Sequence, residues 1–144
     1  MQEGRKPGTG PRIKSPLQGE TLQPEGTLLA IAEWESPGGE TMWIAPLHIH
    51  HEDDEIWYVL EGKLIVRIGT EDLVLEAGGA AIAPRGVAHS YRNPGPERVR
   101  YLLVMPERVR RLIEAIHTTP RDETSMRELF HAFDSEYIGW PHNA

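Results

Sequence analysis

Residues 28–105 are organised as short runs of alternating apolar and polar positions, separated by turn-forming residues. The alternation is clearest after Gly62, where Leu64, Val66 and Ile68 occupy every second position. Because successive side chains of a β-strand point to opposite faces, this period of two indicates strands with one buried face. The sequence predicts eight strands, at about 28–34, 42–50, 55–61, 63–68, 72–75, 80–83, 89–92 and 99–105.

Beyond residue 106 the apolar positions recur at helical spacing in two stretches. This period predicts two amphipathic helices, whose apolar faces we expect to pack on the outside of the β-structure or on a partner subunit. Thr119, with Pro120 next and Asp122 three positions on, is typical of an N-cap, so we expect it to cap the second helix. The apolar positions are Val109, Leu112, Ile113 and Ile116 in the first stretch and Met126, Leu129, Phe130 and Phe133 in the second.

Three segments with different patterns make up the chain. Residues 1–26 are rich in proline and glycine and show little periodicity, so we expect an extended arm that could cross to a partner subunit. Residues 27–105 hold the strands, and many short strands with Gly and Pro turns are typical of an antiparallel barrel or jelly roll. Residues 106–144 are predicted to form a C-terminal helical extension. The predicted fold class is therefore all-β, an antiparallel barrel with two C-terminal helices.

The composition of the chain limits the classes of molecule that we expect it to bind. A chain of 144 residues can bury a core as one domain, and its net charge of -7 argues against nucleic acid or an anionic membrane as the partner. No apolar run reaches the ~20 residues of a membrane span. The first residues lack the apolar core of a secretion signal, so we expect a cytoplasmic protein that binds a small molecule. The absence of cysteine means that any bound ion must be held by nitrogen and oxygen.

Three histidines and a glutamate have the spacing of a metal site. His48 and His50 lie two positions apart in one predicted strand, so both imidazoles point to the same face and can chelate one ion. The polar run 51–54 is suited to a loop, after which Glu55 begins the next strand and can supply an oxygen ligand. A predicted turn then delivers His89 as a third imidazole. The alternative is a metal-free polar pocket, although such groups are costly to bury.

These residues belong to two spaced motifs that resemble those of the cupin superfamily. The first family motif is Gly, five residues, His-x-His, three or four residues, Glu, six residues and Gly. The second is Gly, five residues, Pro-x-Gly, two residues, His, three residues and Asn. Met42 stands where the first glycine is expected, and residues 136–141 resemble the ending of small, single-domain, quercetinase-like bacterial cupins. The matching positions are His48, His50, Glu55 and Gly62 in the first motif and Gly78, Pro84, Gly86, His89 and Asn93 in the second.

The resemblance covers about residues 28–105 and implies a cupin-type barrel that assembles as a homodimer. It implies that His48, His50, Glu55 and His89 ligate a divalent first-row transition metal, which could be iron, manganese, nickel, copper or zinc. It also implies a catalytic role for Glu55, which would leave the metal and act as a base. The sequence identifies neither the metal nor the substrate.

Glu52 offers a rival set of ligands. His50, Glu52 and His89 would make the two-histidine, one-carboxylate triad of non-haem iron oxygenases. That triad leaves His48 without a role and places Glu52 before the next strand begins. His51 directly follows His50, so alternation points its side chain away from the site. The remaining histidines lie outside both motifs, and we expect no chemical role for them: His117, His131 and His142.

Strand parity predicts the walls of a substrate pocket. Residues an even number of positions from a ligand in the same strand point to the same face as that ligand. An apolar and aromatic pocket beside the metal would suit flat or hydrophobic ligands. The residues predicted to line it are Ile44, Trp57, Val59 and Tyr91.

Three classes of function fit these features. The leading hypothesis is a quercetinase-like, metal-dependent dioxygenase that acts on a small enolisable or phenolic substrate, because such molecules can chelate an open ion and lose a proton. The second is a non-redox metal-dependent isomerase, epimerase or lyase, which would turn over without oxygen. The third is a non-catalytic domain that binds a small molecule such as a sugar.

Overall fold

Ten strands and two α-helices are formed by the residues that the computed structural model describes, which are 10–39 and 43–141. In chain order they are β1 (Thr21–Leu22), β2 (Leu29–Ser36), β3 (Leu47–His50), β4 (Glu55–Glu61), β5 (Lys63–Ile68), β6 (Glu71–Glu76), β7 (Ala80–Ala83), β8 (His89–Arg92), β9 (Val99–Pro106), α1 (Glu107–Ile116), α2 (Glu123–Ala132) and β10 (Ser135–Gly139).

The strands pair antiparallel in two five-stranded sheets. Sheet A has the order β1, β2, β9, β4, β7, and sheet B has the order β10, β3, β8, β5, β6. Along β9 every second side chain is buried, beginning with Val99, while the positions between them are only partly buried. Buried side chains of both sheets, among them Trp57 of sheet A and Val66 of sheet B, form one core. The predicted all-β, antiparallel barrel with two C-terminal helices is therefore confirmed.

The C-terminal segment packs over the barrel and also extends sheet B. Val109 of α1 joins the barrel core, while Leu112, Met126 and Phe130 form a second cluster with Tyr137 of β10. β10 pairs antiparallel with β3 at the edge of sheet B. The apolar spacing predicted both helices, but it predicted no strand here. Within the described part of the chain, no helix is long and apolar enough to cross a membrane.

The strand predicted over 42–50 is shorter in the structure, because β3 begins at Leu47. Residue 42 lies outside the described residues. Pro46 directly precedes β3, and since proline has no N–H to donate to a ladder, it is suited to the start of a strand. The residues from 43 to 46 therefore do not follow the strand parity on which the pocket prediction for Ile44 was based.

Asp122, and not Thr119, caps the second helix. The Asp122 carboxylate accepts hydrogen bonds from the backbone N–H of Ser125 at 2.8 Å and from the Ser125 hydroxyl at 2.7 Å. The Thr119 hydroxyl instead donates to the carbonyl of Ala115 in α1, at 2.7 Å. Aspartate is as strong an N-cap as serine or threonine, so the nearer acceptor takes the position.

Candidate metal centre

The strand pairing of both sheets brings the four predicted ligands together. His48 and His50 extend from β3, and His89 of β8 lies directly opposite His48 in the register. Glu55, the first residue of β4, contributes from sheet A. All four side chains are buried, and one potential ligand atom from each lies within 4.8 Å of the others. Residues 51–54 form the loop that separates the histidine pair from the glutamate.

Backbone carbonyls fix the orientation of two of the imidazoles. His48 Nδ1 lies 2.6 Å from the carbonyl oxygen of Pro46, and His89 Nδ1 lies 3.1 Å from that of Val87. Because a carbonyl oxygen can only accept, both Nδ1 atoms carry the proton and donate. In the neutral imidazoles, the Nε2 atoms are therefore unprotonated and have a free electron pair.

The third imidazole is oriented by a serine hydroxyl of β10. The Ser135 hydroxyl lies 3.1 Å from the carbonyl oxygen of Phe133 and 2.7 Å from His50 Nδ1. Since that hydroxyl donates its one proton to the carbonyl, it must accept from His50 Nδ1–H. His50 therefore also presents an unprotonated Nε2 atom to the centre of the cluster.

Four hydrogen-bond acceptors thus face one another in a buried space. His50 Nε2 lies 3.2 Å from His48 Nε2 and 3.0 Å from Glu55 Oε1, and His89 Nε2 lies 3.6 Å from the same oxygen. His89 Nε2 is buried and has no hydrogen-bond partner within the described residues. Acceptors buried without a donor are costly, and a cation between them removes that cost. Three imidazole nitrogens and a carboxylate oxygen fit a divalent transition metal.

Electrostatics in the cluster favour an ionised Glu55 carboxylate and a neutral His48 imidazole. Burial by itself would raise the pKa of Glu55, but the interactions with His50 and His89 outweigh it and lower that pKa. Burial and the neighbouring imidazoles hold the pKa of His48 well below its usual range. Although burial opposes it, the Glu55 carboxylate raises the pKa of His89. In the metal-free protein His89 is therefore the imidazole that takes up a proton most readily of these two, and a metal ion would displace that proton.

A small cavity of ≈ 30 Å³ adjoins His48, His50 and Glu55. It has room for about one water-sized group. The Phe130 ring of α2 lies 5.2 Å from the His48 ring, between ring centroids, and is fully buried. The other apolar residues that close the cavity from the helical side are Val109, Leu112, Ile113 and Ile116. The C-terminal helices therefore separate the ligand cluster from bulk water.

A larger cleft of ≈ 950 Å³ adjoins this small cavity. The two share part of their lining, namely Ala45, Pro46, Tyr91, Ile113 and Ile116. The volume is in the range of sites that bind small molecules. Aromatic side chains contribute much of the wall of the cleft: Trp34, Tyr91, Tyr101 and Trp140.

The four residues predicted to line a substrate pocket lie in two different surroundings. Ile44 lines the cleft, and Tyr91 lines both the cleft and the small cavity. Trp57 and Val59 are fully buried in the barrel core and line neither of these cavities. The Trp57 ring instead packs edge-on against His89, with 5.6 Å between the ring centroids. Trp57 thus packs against His89 from within the barrel core.

The other histidines and the rival carboxylate lie away from the four ligands. Glu52 and His51 are exposed, and His51 Nε2 lies 3.7 Å from Glu136 Oε1. His131 is exposed on α2, whereas His117 lines the cleft. His142 lies outside the described residues. The triad that includes Glu52 is therefore not the cluster that the fold assembles.

Ion pairs hold the loops that carry the ligands. The Arg85 guanidinium and backbone N–H both bind the Asp54 carboxylate, which ties the turn before His89 to the loop before Glu55. Arg108 of α1 binds the buried carboxylate of Asp53 at 2.8 Å. Arg108 also contacts Asp134, the residue before Ser135. One arginine thus connects α1 to the loop of one ligand and to the serine that orients another.

Sequence reasoning missed Ser135, Phe130 as a wall of the site, and the role of His117 as part of the cleft. Ser135 lies 85 positions from His50, and no local pattern indicates that contact. Phe130 was identified as an apolar helix position, but spacing alone does not reveal what an apolar face covers. These residues depend on how the C-terminal segment docks, which is a tertiary property.

The family model described as a cupin domain matches residues 34–105, which is 72 of the 144 residues. No curated protein matches the chain.

Solved structures with similar folds include three proteins. The Schizosaccharomyces pombe Cnp3 cupin domain aligns with a TM-score of 0.52 and 26% identity, over 63% of this chain and 67% of that one. A proposed sugar phosphate isomerase from Acidithiobacillus ferrooxidans gives a TM-score of 0.51 and 24% identity, over 56% of this chain and 51% of that one. A cupin protein from Bacteroides fragilis gives a TM-score of 0.50 and 20% identity, over 56% of this chain and 66% of that one. The chain thus spans about half the length of the A. ferrooxidans protein, and the two bacterial similarities concern the fold alone.

Proposed function

The chain belongs to the cupin domain family, and from this premise we propose that it is a metal-dependent dioxygenase of the quercetinase-like type. Its substrate would be a small enolisable or phenolic molecule. The observation that supports this most is the convergence of three unprotonated imidazole nitrogens and one carboxylate beside an aromatic cleft. We propose His48, His50, Glu55 and His89 as the metal ligands.

A divalent first-row ion bound there would act as a Lewis acid towards the oxygen atoms of the substrate and, if redox-active, would allow electrons to pass to dioxygen. The residues of the chain have separate tasks. The Glu55 carboxylate, which its lowered pKa keeps ionised, would accept the proton of a substrate hydroxyl after leaving the metal. Burial raises the pKa of Tyr91 well above its usual range, so its phenol stays protonated beside Tyr101.

The aromatic lining of the cleft suits a flat substrate. Trp34 and Tyr101 line the cleft, and their rings can pack on the faces of a planar molecule. Phe130 and Ile113 help to close the small cavity, where they would exclude water from the reacting group. A flavonol or a β-diketone has both the planar body and the vicinal or enolisable oxygens that this arrangement would recognise.

Oxygen uptake by the metal-loaded protein tests the proposal. We expect uptake with a panel of flavonols, catechols and β-diketones, at one dioxygen per substrate consumed, and we expect the Glu55→Gln variant to lose it. Substrate consumption that continues under nitrogen would contradict the dioxygenase and support a different reaction.

That different reaction is a non-redox isomerisation, epimerisation or elimination. It is favoured by one observation, which is that Glu55 and Tyr91 both line the small cavity, so a carboxylate and a phenol border the same space. Such an enzyme would exchange a substrate proton with solvent in the absence of oxygen, and it would tolerate zinc or manganese. Deuterium incorporation from heavy water under nitrogen distinguishes it from the dioxygenase.

We further propose that the protein is a homodimer organised as an arm (1–26), a barrel (27–105) and a C-terminal extension (106–144). The outer face of sheet A supports the dimer. Ile31, Val104, Ile56 and Ile82 lie directly opposite one another across four strands of that face. Ile82 is 51% exposed. A row of apolar side chains on an outer sheet face is suited to burial against a second copy.

A further inference from the structure

We infer that the substrate carries an anionic group, a carboxylate or a phosphate, which binds Arg121 and His117 in the large cleft while its oxygen-bearing head reaches the four ligands. This inference rests on the proposed function, because it assumes that the head of the substrate binds at the metal site. It adds a second recognition point, formed by residues outside both family motifs.

The cleft adjoins the small cavity at the four predicted ligands. Tyr91 and Ile116 line both spaces, so they lie where the two spaces meet. His117 follows Ile116 directly, and Arg121 lies between the two helices; both line only the larger space. A molecule with its head beside Tyr91 would therefore extend its other end towards the segment that joins α1 and α2.

Two of the three arginines of the cleft are already neutralised. Arg98 binds Glu35 at 2.9 Å and Glu61 at 3.2 Å. Arg100 binds Glu61 at 3.1 Å and Glu33 at 3.3 Å. These pairs hold the two guanidinium groups to the protein, so neither presents a free positive charge to a ligand.

Arg121 differs from them. Within residues 10–39 and 43–141, its guanidinium makes no ion pair and no hydrogen bond. A guanidinium presents several N–H donors in a plane that matches two oxygens of a carboxylate or a phosphate. In a chain of net charge -7, an unpaired arginine on the wall of a cleft is a specific attraction for an anion.

His117 adds a second donor beside the same segment. Its backbone N–H caps α1, and its imidazole makes no hydrogen bond within the described part of the chain. A neutral imidazole has one N–H donor and a protonated one has two, so either form can bind an anionic oxygen. Arg121 and His117 together therefore supply charge and hydrogen bonds that no protein carboxylate satisfies in the described residues.

The test compares probes that differ only in an anionic tail. One pair is catechol and 3-(3,4-dihydroxyphenyl)propionate, and the other is fructose and fructose 6-phosphate. Each pair shares a metal-chelating head, and the tail is a carboxylate in the first pair and a phosphate in the second. Binding to the metal-loaded protein is measured by calorimetry, supported by the fluorescence of Trp34 and Trp140, which line the cleft.

We expect the anionic member of at least one pair to bind about tenfold more tightly, as a charge-assisted hydrogen bond allows. The pair in which the anionic member binds more tightly shows whether the substrate tail is a carboxylate or a phosphate. Arg121→Gln should remove most of the gain, and His117→Gln should reduce it. Arg111→Gln is the matched control, because Arg111 is an exposed arginine of α1 that does not line the cleft.

Equal affinities within both pairs would overturn the inference, and so would a gain that survives in Arg121→Gln. Far-ultraviolet circular dichroism and metal content establish that each variant is folded. The proposed dioxygenase activity is tested independently of this inference. If the protein binds the anionic probes more tightly but consumes no oxygen, the anion site is retained and the dioxygenase is rejected.

Discussion

At the scale of single residues, the partner of each Nδ1 atom decides what the imidazole can do. Two backbone carbonyls and one serine hydroxyl take the Nδ1 protons, so three Nε2 electron pairs converge beside a carboxylate. Motif spacing was sufficient to predict His48, His50, Glu55 and His89 as neighbours, because strand parity and turn positions are local properties. The partner of His50 could not be predicted, since Ser135 lies far away in the sequence.

Ser135→Ala tests whether that hydroxyl orients His50. We expect metal affinity to fall about 10- to 100-fold, as is usual when a partner of a ligating histidine is lost. The variant should still fold, because the change removes one buried hydroxyl. Ser90→Ala is the control: Ser90 is also buried, but its hydroxyl donates to the carbonyl of Ala45 at 2.6 Å and not to any of the four predicted ligands. Equal metal affinity in the two variants would assign Ser135 a structural role only.

Metal binding should weaken as the pH falls. Each imidazole must lose its Nε2 proton to ligate, so protons and metal compete, and the competition follows reference pKa values of ~6.5. Although burial opposes it, the Glu55 carboxylate raises the pKa of His89, so protonation of this ligand begins at a higher pH than in a free histidine. Burial lowers the pKa of His48, so it resists protonation longer. We expect metal per chain, measured after dialysis, to decline below about pH 6; full retention near pH 4 would contradict the ligand set.

At the scale of elements, glycine and proline residues in the turns made many strand boundaries predictable. The strands Glu55–Glu61, Lys63–Ile68, Ala80–Ala83 and His89–Arg92 begin and end where the sequence places them. Gly62 explains one such boundary: its φ is +83°, and an added Cβ would lie 2.4 Å from the carbonyl oxygen of Arg98. Only glycine fits that turn.

Elements that depend on tertiary contacts were harder to predict. β10 is five residues long and is separated from the end of α2 by two residues, so its alternation of buried Ser135 and Tyr137 with exposed Glu136 is too short to stand out. Pairing with β3 is what makes it a strand. The same pairing explains why the C-terminal segment contributes to the site, although the motifs end before it begins.

Phe130→Ala tests the contribution of α2. The side chain is fully buried against His48 and Tyr137, so its removal should lower the free energy of unfolding by about 3–5 kcal/mol. Chemical denaturation measures the loss. The control is Phe133→Ala, at a half-buried position, for which we expect a smaller loss. Equal losses in the two variants would show that Phe130 is not the packing centre of the helical cluster.

At the scale of the whole molecule, two sheets and two helices enclose one site, and part of the outer face of sheet A is apolar. The fold class followed from the number and period of the strands, because these properties are distributed along the chain. How the sheets and helices enclose a cavity did not follow, since it depends on which faces meet.

The proposed dimer predicts that one outer face is sensitive to charge and the other is not. Tyr58→Lys places a charge on the outer face of sheet A, where Tyr58 is 40% exposed, and should convert the dimer to a monomer. Val74→Lys is the control, because Val74 is 60% exposed on β6 of sheet B. Sedimentation velocity measures both variants. A wild-type protein that sediments as a monomer, or a Tyr58→Lys dimer, would reject this interface.

The measurement that tests the central claim most directly is elemental analysis of untagged protein, expressed as metal per chain. We predict close to one first-row transition ion per chain, lost in His48→Ala and His89→Ala and retained in His131→Ala, whose imidazole is exposed on α2. Wild-type protein that holds little metal and fails to bind iron, manganese, nickel, copper or zinc on titration would contradict the account.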